Sequence, residues 1–495
     1  MHLGRTLEVF VNRQKCSLAN SVVYVSKVVV LVVGLLMANA VAQNPVPQIV
    51  GPVSPSAVTP GSGPVTLTVY GANFVPGAVV NWNAQPRSTT FVSARELQAQ
   101  ILASDVAQNT AGTISVTNPP PGGGNSSAGW AQVEVHSPTS SIVANPPYIV
   151  PVPYNFTYGF LMADFNGDNR LDMWADAILM LGFGNGQVHF GSTVRNYDVL
   201  DGSVYGDFNG DGKLDLAYVS GDSGQLVFGK QIVVALGDGK GKFNVSSTMK
   251  SFFGFYTLAA GDFNGDGKLD LVATKGKTLS VFLGNGDGTF QPRIDSPFPG
   301  SGVGYDIVPG DFNGDGKLDL VTLDQYGNVY LLLGKGDGTF KYPPVLVSSG
   351  ENWLCGGTNA PVVLASDFNG DGKLDLLACG AGALGIFIGN GDGTFQESIY
   401  SVPPGDNYLV PVVGDFNSDG KIDLLVTEVI GSNILVFWGN GDGTFQTPQV
   451  VTLPSGAGGG IGDLGMAAGD LNRDGLLDFV DMTAFGNAAV YTQHQ

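Results

Sequence analysis

The sequence predicts an all-β fold: a seven-bladed β-propeller preceded by a smaller β-sandwich. Three observations carry that prediction. Nearly the same nine residues, D-x-N-x-D-G-x-x-D, occur seven times, starting at Asp164, Asp207, Asp262, Asp311, Asp367, Asp415 and Asp470, and four copies extend to DFNGDGKLDL. Successive copies start 43 to 56 residues apart with a mean of 51, a period that marks one supersecondary unit repeated rather than one domain repeated. Each interval reads as four short strands joined by glycine-rich turns, the pattern of a propeller blade.

Taken in chain order, residues 1–42 read as an export signal. Arg13, Lys15 and Lys27 precede the apolar run Val28–Ala38, and small residues follow at ANAVA, so that cleavage after Ala42 would leave Gln43 first. Eleven apolar residues are too few for a spanning helix. No cysteine follows the cleavage site to take a lipid, and no second hydrophobic stretch anchors the mature chain. The long stretch before the apolar run suits a start later than Met1.

Residues 43–136 form the sandwich. Alternating runs such as VTLTVYGANFVPGAVVNW, STTFVSARELQAQI, GTISVTNP and WAQVEV fit half-buried strands, with PPPGGGNSS as a hairpin loop. SPTSSIVANPP (137–147) is a linker that overlaps the start of the propeller, residues 141–495. Within a blade, FYTLAAGD (255–262) leads into the loop and LDLVAT (269–274) leaves it; SVFLG (280–284) follows, then an NGDG turn, then a fourth strand from TFQ (289–291). The string GNGDGTF recurs at 284–290, 389–395 and 439–445, with GKGDGTF at 334–340 and weaker forms at 182–190 and 237–243. The last repeat has room for three strands, near 464–469, 477–482 and 487–492. An unpaired edge there would invite aggregation, so the apolar segment SIVANPPYIV (141–150) is expected to supply the missing outer strand.

The repeated loop places oxygen donors at its first, third, fifth and ninth positions and a backbone carbonyl at its seventh. These are Asp164, Asn166, Asp168, Arg170 and Asp172 in copy one; Asp207, Asn209, Asp211, Lys213 and Asp215 in copy two; and Asp262, Asn264, Asp266, Lys268 and Asp270 in copy three. Copy four has Asp311, Asn313, Asp315, Lys317 and Asp319, and copy five has Asp367, Asn369, Asp371, Lys373 and Asp375. Copy six has Asp415, Asn417, Asp419, Lys421 and Asp423, and copy seven has Asp470, Asn472, Asp474, Leu476 and Asp478. Hard oxygens at alternate positions of a tight turn suit Ca2+, which takes six to eight of them. Glycine at the sixth position permits the positive φ that folds the turn over the ion; copy one has Asn169 there. The eighth position is always Leu or Ile, a plug for the core.

The nine residues resemble the start of an EF-hand loop, but the bidentate Glu of the twelfth position is missing from every copy and a strand, not a helix, follows. The alternative is a metal-free hairpin turn rich in Asp, Asn and Gly. Charge favours the ion. Residues 43–495 hold 19 basic and 42 acidic residues, and 21 of those acids are loop aspartates. Seven calcium ions would take the net charge of that part from −23 to −9. Such acidity argues against nucleic acid and anionic membrane as partners, since both need basic patches.

The DFNGDGKLDL and GNGDGTF strings resemble FG-GAP/VCBS repeats over about residues 142–495. That resemblance implies a seven-bladed propeller like that of integrin α-subunits, with calcium held between the first two strands of a blade by the positions named above. Copy one departs from the pattern at Asn169, copy six at Ser418 and Ile422, and copy seven at Arg473 and Leu476. DLNRDGLLDFVDM (470–482) also looks like half a dockerin, yet it is single and in phase with the other six copies. GANFVPGAVVNWNAQ (71–85) and TISVTNPPPGGGNSS (113–127) are similar to IPT/TIG immunoglobulin-like domains. Some of these bind DNA; this one has only Arg87 and Arg95 as basic residues, which suits a spacer or adhesion module.

No catalytic constellation stands out. The four histidines, His2, His136, His189 and His494, sit beside no nucleophile or metal cluster. Trp174, Trp353 and Trp438 are candidates for a sugar-binding face or, better, for core packing. Cys355 and Cys379 flank the fifth loop and either bridge its strands or stay as thiols. The expected function is that of an exported, calcium-binding propeller, secreted or at the cell surface (the bacterial periplasm included), that binds a protein or glycan. The alternative is a secreted polysaccharide lyase or hydrolase on the same scaffold.

Overall fold

The computed structural model describes residues 44–494, apart from 50–52, 127–130, 152–159, 176, 195–197, 222–228, 301–303, 325, 350–361, 381–382, 402–407, 429–432, 453–465 and 484–486. The export signal expected at 1–42, Trp353 and Cys355, one half of the expected Cys355–Cys379 pair, lie outside the described residues. The remainder is all-β and forms one compact unit.

The amino-terminal part is a sandwich of two sheets. One runs Gln48–Ile49, Val65–Ala72, Glu96–Ile101, Ser88–Ser93; the other runs Ala57–Val58, Ala131–Val135, Thr110–Asn118, Val79–Trp82, Gln85–Pro86, with Gly124–Asn125 paired to Thr110–Asn118. Strand alternation decides which side chains enter the core. Leu67 and Val69 from one strand and Leu97, Ala99 and Ile101 from its neighbour meet Val80, Trp82, Ile114, Val116 and Val133 from the opposite sheet.

The rest is a β-propeller. Among the described residues seven four-stranded antiparallel sheets follow one another along the chain. Their first strands, such as Phe160–Ala163, Asp198–Gly206 and Leu258–Gly261, neighbour one another in sequence order, and Phe160–Ala163 also neighbours Met466–Gly469, so the ring closes. The second strands, such as Asp270–Lys275 and Asp319–Asp324, are buried almost end to end because adjacent blades cover both faces. That double burial is why they read as continuous apolar runs rather than as alternation. Seven apolar clusters fill the seven spaces between blades; Leu271, Ala273 and Phe282 meet Val219 and Val234 in one of them.

Two details differ from expectation. In three blades the TFQ segment makes only a single bridge, Gly284 with Phe290, Gly334 with Phe340 and Gly439 with Phe445. The fourth strand starts later in these blades, at Ile294–Pro297, Val345–Ser348 and Gln449–Thr452, and each of the three phenylalanines packs against the phenylalanine after the preceding blade's first loop aspartate. The sandwich, moreover, does not stand off as a spacer; it lies on the loop-bearing face of the propeller. Gln48 Nε2 donates to Ala260 O at 3.3 Å, Ser56 Oγ to Asp415 Oδ2 at 2.8 Å and Ser418 Oγ to Glu134 Oε2 at 2.9 Å, while the Asp470 N–H donates to Gln132 Oε1 at 3.2 Å. Arg95 Nη2 donates to Asp311 O at 3.2 Å, and its Nε lies 3.3 Å from Asp311 Oδ2. Val46 and Ala72 enter two of the interblade clusters.

The last sheet takes its outer strand from Tyr148–Pro151, antiparallel to Asn487–Tyr491, with Ile149 opposite Ala489. Ile142 and Val150 are buried beside it, and Ala144 bridges Gln493. A chain beginning at Pro138 and one beginning at Tyr154 both lack the sandwich and differ in this segment alone. The shorter chain should melt lower by about 5 °C or more and aggregate on heating. Equal melting temperatures would show that the ring closes without it.

Candidate functional site

Each repeat loop joins the first and second strands of its blade and turns through two left-handed residues, at the fourth and sixth positions. Glycine fills both in loops two to five, with φ between 71° and 83°. Loop one has Gly167 and Asn169 (φ 61°), loop six Ser418 (57°) and Gly420, loop seven Arg473 (65°) and Gly475. The sequence reading recognised only the sixth position as special. Serine and arginine at the fourth carry strain of about 1–2 kcal/mol each.

The aspartates at the first position sit under these turns. In loop two, Asp207 Oδ1 accepts the N–H groups of Gly210 and Asp211 at 2.7 and 3.1 Å, and its Oδ2 accepts that of Gly212 at 2.7 Å. Asn209 Oδ1 accepts the Asp211 N–H, and Asp211 Oδ1 accepts the Lys213 N–H. The same network recurs in the other loops, for example around Asp164, Asp311 and Asp470. Seventh-position cations reach the fifth-position carboxylates, from 2.9 Å for Lys213–Asp211 to 4.0 Å for Lys317–Asp315, and are exposed enough to contribute little.

The ninth-position aspartates, Asp172, Asp215, Asp270, Asp319, Asp375, Asp423 and Asp478, are all fully buried. One oxygen accepts the N–H of the second loop residue; the other accepts an N–H from the end of the third strand, as in Asp270 Oδ2 with Phe263 and Oδ1 with Gly284. Burial, opposed by those hydrogen bonds and reinforced by the other two carboxylates of the loop, pushes these groups up: to about 7 for Asp172, Asp215, Asp319 and Asp375, and to about 8 for Asp270 and Asp423. Burial likewise raises Asp262 and Asp415 to about 6 and Asp470 to about 7.

Among the described residues no three Asp, Glu, His or Cys side chains are drawn together closely enough to hold a metal, because each aspartate is turned onto backbone amides. A carboxylate oxygen that accepts one amide keeps a second lone pair. The donor set of a loop is all hard oxygen, and its buried carboxylates raise one another, so a divalent cation fits it.

The sandwich divides the loops into two groups. First-position aspartates of loops three to seven are 1–9% exposed, those of loops one and two half-buried. The residues that do this covering, Arg95, Ser56, Gln132 and Glu134, were missed from the sequence, although Ser418, a departure from the repeat, marks where Glu134 lands. Glu134 is itself buried, and burial together with the charge of Asp415 holds its carboxyl well above the usual range. Trp174 and Trp438 belong to the interblade cores and not to a sugar-binding face. His189 is exposed and stacks on Phe183 at 4.5 Å, and His136 is buried with its Nδ1 2.7 Å from Ser137 O.

No curated protein matches the chain in sequence. Among solved structures it is similar to an Agrocybe aegerita lectin that recognises non-reducing terminal N-acetylglucosamine, at 17% identity over 82% of this chain and 100% of the lectin, with a TM-score of 0.45. It is also similar to an auxiliary nutrient binding protein from Bacteroides ovatus, at 13% identity over 90% and 98% with a TM-score of 0.36. A protein from Lactobacillus plantarum matches at 12% identity over 69% and 89%, with a TM-score of 0.44. The model of the FG-GAP-like repeat matches five times, at residues 207–273, 262–322, 311–365, 367–426 and 427–480. Those matches take in more than half of the chain and span loops two to seven, and the protein belongs to the FG-GAP-like repeat family.

Proposed function

We propose that this is an exported calcium-binding propeller that recognises a protein or glycan outside the cell, its amino-terminal module an IPT/TIG-like sandwich. The observation that carries the calcium reading is the repetition of one loop seven times, each time with a fully buried ninth-position aspartate beside two further carboxylates. Asp, Asn and Asp at the first, third and fifth positions, the seventh carbonyl and the ninth Asp would hold up to seven ions, for example Asp311, Asn313, Asp315, Lys317 and Asp319 in loop four. Calcium would supply the positive charge that lets the buried carboxylates stay ionised. The backbone amides under each turn orient the carboxylates, and the ninth-position Asp fixes the loop to its blade. Export is supported by the pattern of residues 1–42, and extracellular modules bind calcium with dissociation constants up to about a millimolar.

A loop held at a hundred times its dissociation constant adds about 2.7 kcal/mol to stability. Excess chelator should therefore lower the melting temperature by many degrees; an unchanged melt would overturn the calcium reading. The pH dependence has a defined sign. Free aspartate titrates near 3.9, whereas folding raises Asp270 and Asp423 to about 8, so the chelated folded chain binds more protons than the unfolded one. Its stability should be full below about pH 4 and fall as pH rises towards 8, with saturating calcium flattening the trend. A chelated chain that gains stability over that window would contradict the assignment.

Ion sites should also be separable by mutation. Asp311→Ala removes a first-position oxygen under a loop of full consensus, and calcium stoichiometry by calorimetry should fall by about one. Asp164→Ala, in the half-covered loop with Asn169 at its sixth position, should change stability less. Equal stoichiometry in wild type and Asp311→Ala would count against these ligands.

A further inference from the structure

The strand Ala131–Val135 turns Ala131, Val133 and Val135 into the core of the sandwich, so alternation turns Gln132 and Glu134 towards the propeller. Glu134 lines a pocket of about 230 Å3 between the sandwich and the first strands of blades five, six and seven, which contribute Ser366, Gly414 and Ala468. Ser56, Gln132 and Asp415 line it as well. Glu134 and Asp415 are 3% and 2% exposed, and none of the described residues that line the pocket is a Lys, Arg or His. At loop four the sandwich meets the first-position aspartate with a cation, Arg95; at loop six it meets Asp415 with a second acid. Two buried carboxylates with no cation beside them are strongly unfavourable. The ion of loop six does not offset Glu134, because Asp415, Asp419 and Asp423 already exceed the two charges of calcium, and Lys421 reaches Asp419 from the exposed side of the loop.

The pocket also holds oxygens without partners. Glu134 Oε2 accepts the Ser418 hydroxyl at 2.9 Å, whereas Glu134 Oε1 makes no hydrogen bond with any described residue. Ser366, 3% exposed, lines the same pocket, and its hydroxyl makes none with any described residue either. Buried polar groups are nearly always paired, so a carboxylate oxygen and a hydroxyl left over in one pocket point to a ligand. Ser56 Oγ, which donates to Asp415 Oδ2 at 2.8 Å, keeps its lone pairs. All these donors are hard oxygens, two carboxylates balance two positive charges, and the volume is ample for one ion with waters in its shell. Water alone would pair the hydroxyl but leave both negative charges in place. Ser418, held at φ 57° where loops two to five have glycine, donates the hydrogen bond that orients Glu134.

We propose that this pocket binds a divalent cation, calcium, through Glu134, Asp415, Ser56 and Ser366, and that the ion ties the sandwich to blades five and six. The site is additional to the ion of loop six in the calcium reading above, with which it shares Asp415. The test titrates calcium into the full chain and counts ions by calorimetry and native mass spectrometry, for wild type, Glu134→Gln, Asp419→Ala and the double variant. Glu134→Gln keeps the shape and an acceptor for Ser418, and Asp419 belongs to loop six but not to the pocket. Each single variant should hold one ion fewer than wild type, and the double variant two fewer. In millimolar calcium Glu134→Gln should melt a few degrees lower than wild type. In excess chelator it should melt no lower, because an amide then replaces an unpaired buried charge. Ser366→Ala, which removes no hydrogen bond of the metal-free chain, should weaken one site about fivefold and decides the matter if Glu134→Gln fails to fold. An unchanged count in Glu134→Gln would overturn the proposal, as would a double variant that loses no more ions than Asp419→Ala alone. So would a Glu134→Gln chain more stable than wild type in calcium and chelator alike, the mark of a pocket filled by water, or unaltered affinity in Ser366→Ala. The calcium reading of loop six fails separately, by a count unchanged in Asp419→Ala while Glu134→Gln still loses its ion.

Discussion

Each blade depends on one buried carboxylate. The ninth loop aspartate has no contact with water, and each of its oxygens accepts a backbone N–H, one in the loop and one where the third strand ends. The approach at that second point is close: a side chain on Gly284 or Gly334 would run into the carbonyl of the eighth loop residue, Leu269 or Leu318. Glycine suits that approach in these blades, while in the last blade Gln493 stands at the equivalent place and its N–H makes the same bond to Asp478. Loop, first two strands and third-strand terminus are thereby fixed to one another before any packing between blades is counted. The apolar eighth residue seats the loop in the adjoining core, and the next blade stacks on a surface already set.

The same carboxylates make the loop-bearing face a poor one to leave bare. Burying charge is unfavourable unless it is paired, and here the chain supplies a cover of its own. Arg95 brings a cation to Asp311 and Ser56 a hydroxyl to Asp415. Glu134 brings a further acid beside loop six. The sandwich therefore does not treat the loops alike: it relieves charge at loop four and adds it at loop six. Loops one and two are the ones it leaves half-open.

Much of the propeller was legible in the sequence because its elements are local and repeated. The loop residues, the apolar plug, the second strand and the glycine turn fall at fixed offsets, and the leftover edge of the last repeat called for the strand found at Tyr148–Pro151. In three blades the fourth strand was placed too early: past the single bridges of Phe290, Phe340 and Phe445 the ladder opens, and it resumes at Ile294, Val345 and Gln449. Docking of the sandwich was not legible at all. Ser56, Arg95 and Glu134 are ordinary polar residues of a strand surface, and their meaning lies in partners hundreds of positions away.

Closing the ring with a strand from before the first blade sets the order in which the molecule can be made. Tyr148–Pro151 has its partner at Asn487–Tyr491, so the pairing has a sequence separation of more than three hundred residues. At about 5–20 residues per second of synthesis, the early strand waits tens of seconds for it. The sandwich waits similarly for Asp311, Asp415 and Asp470. Blades one to six form from local hairpins meanwhile, each with an open flank until the next arrives. Contacts this distant make final closure slow, and the early strand meets its last partner, and the loops their full complement of bonds, only when nearly every blade is already in place.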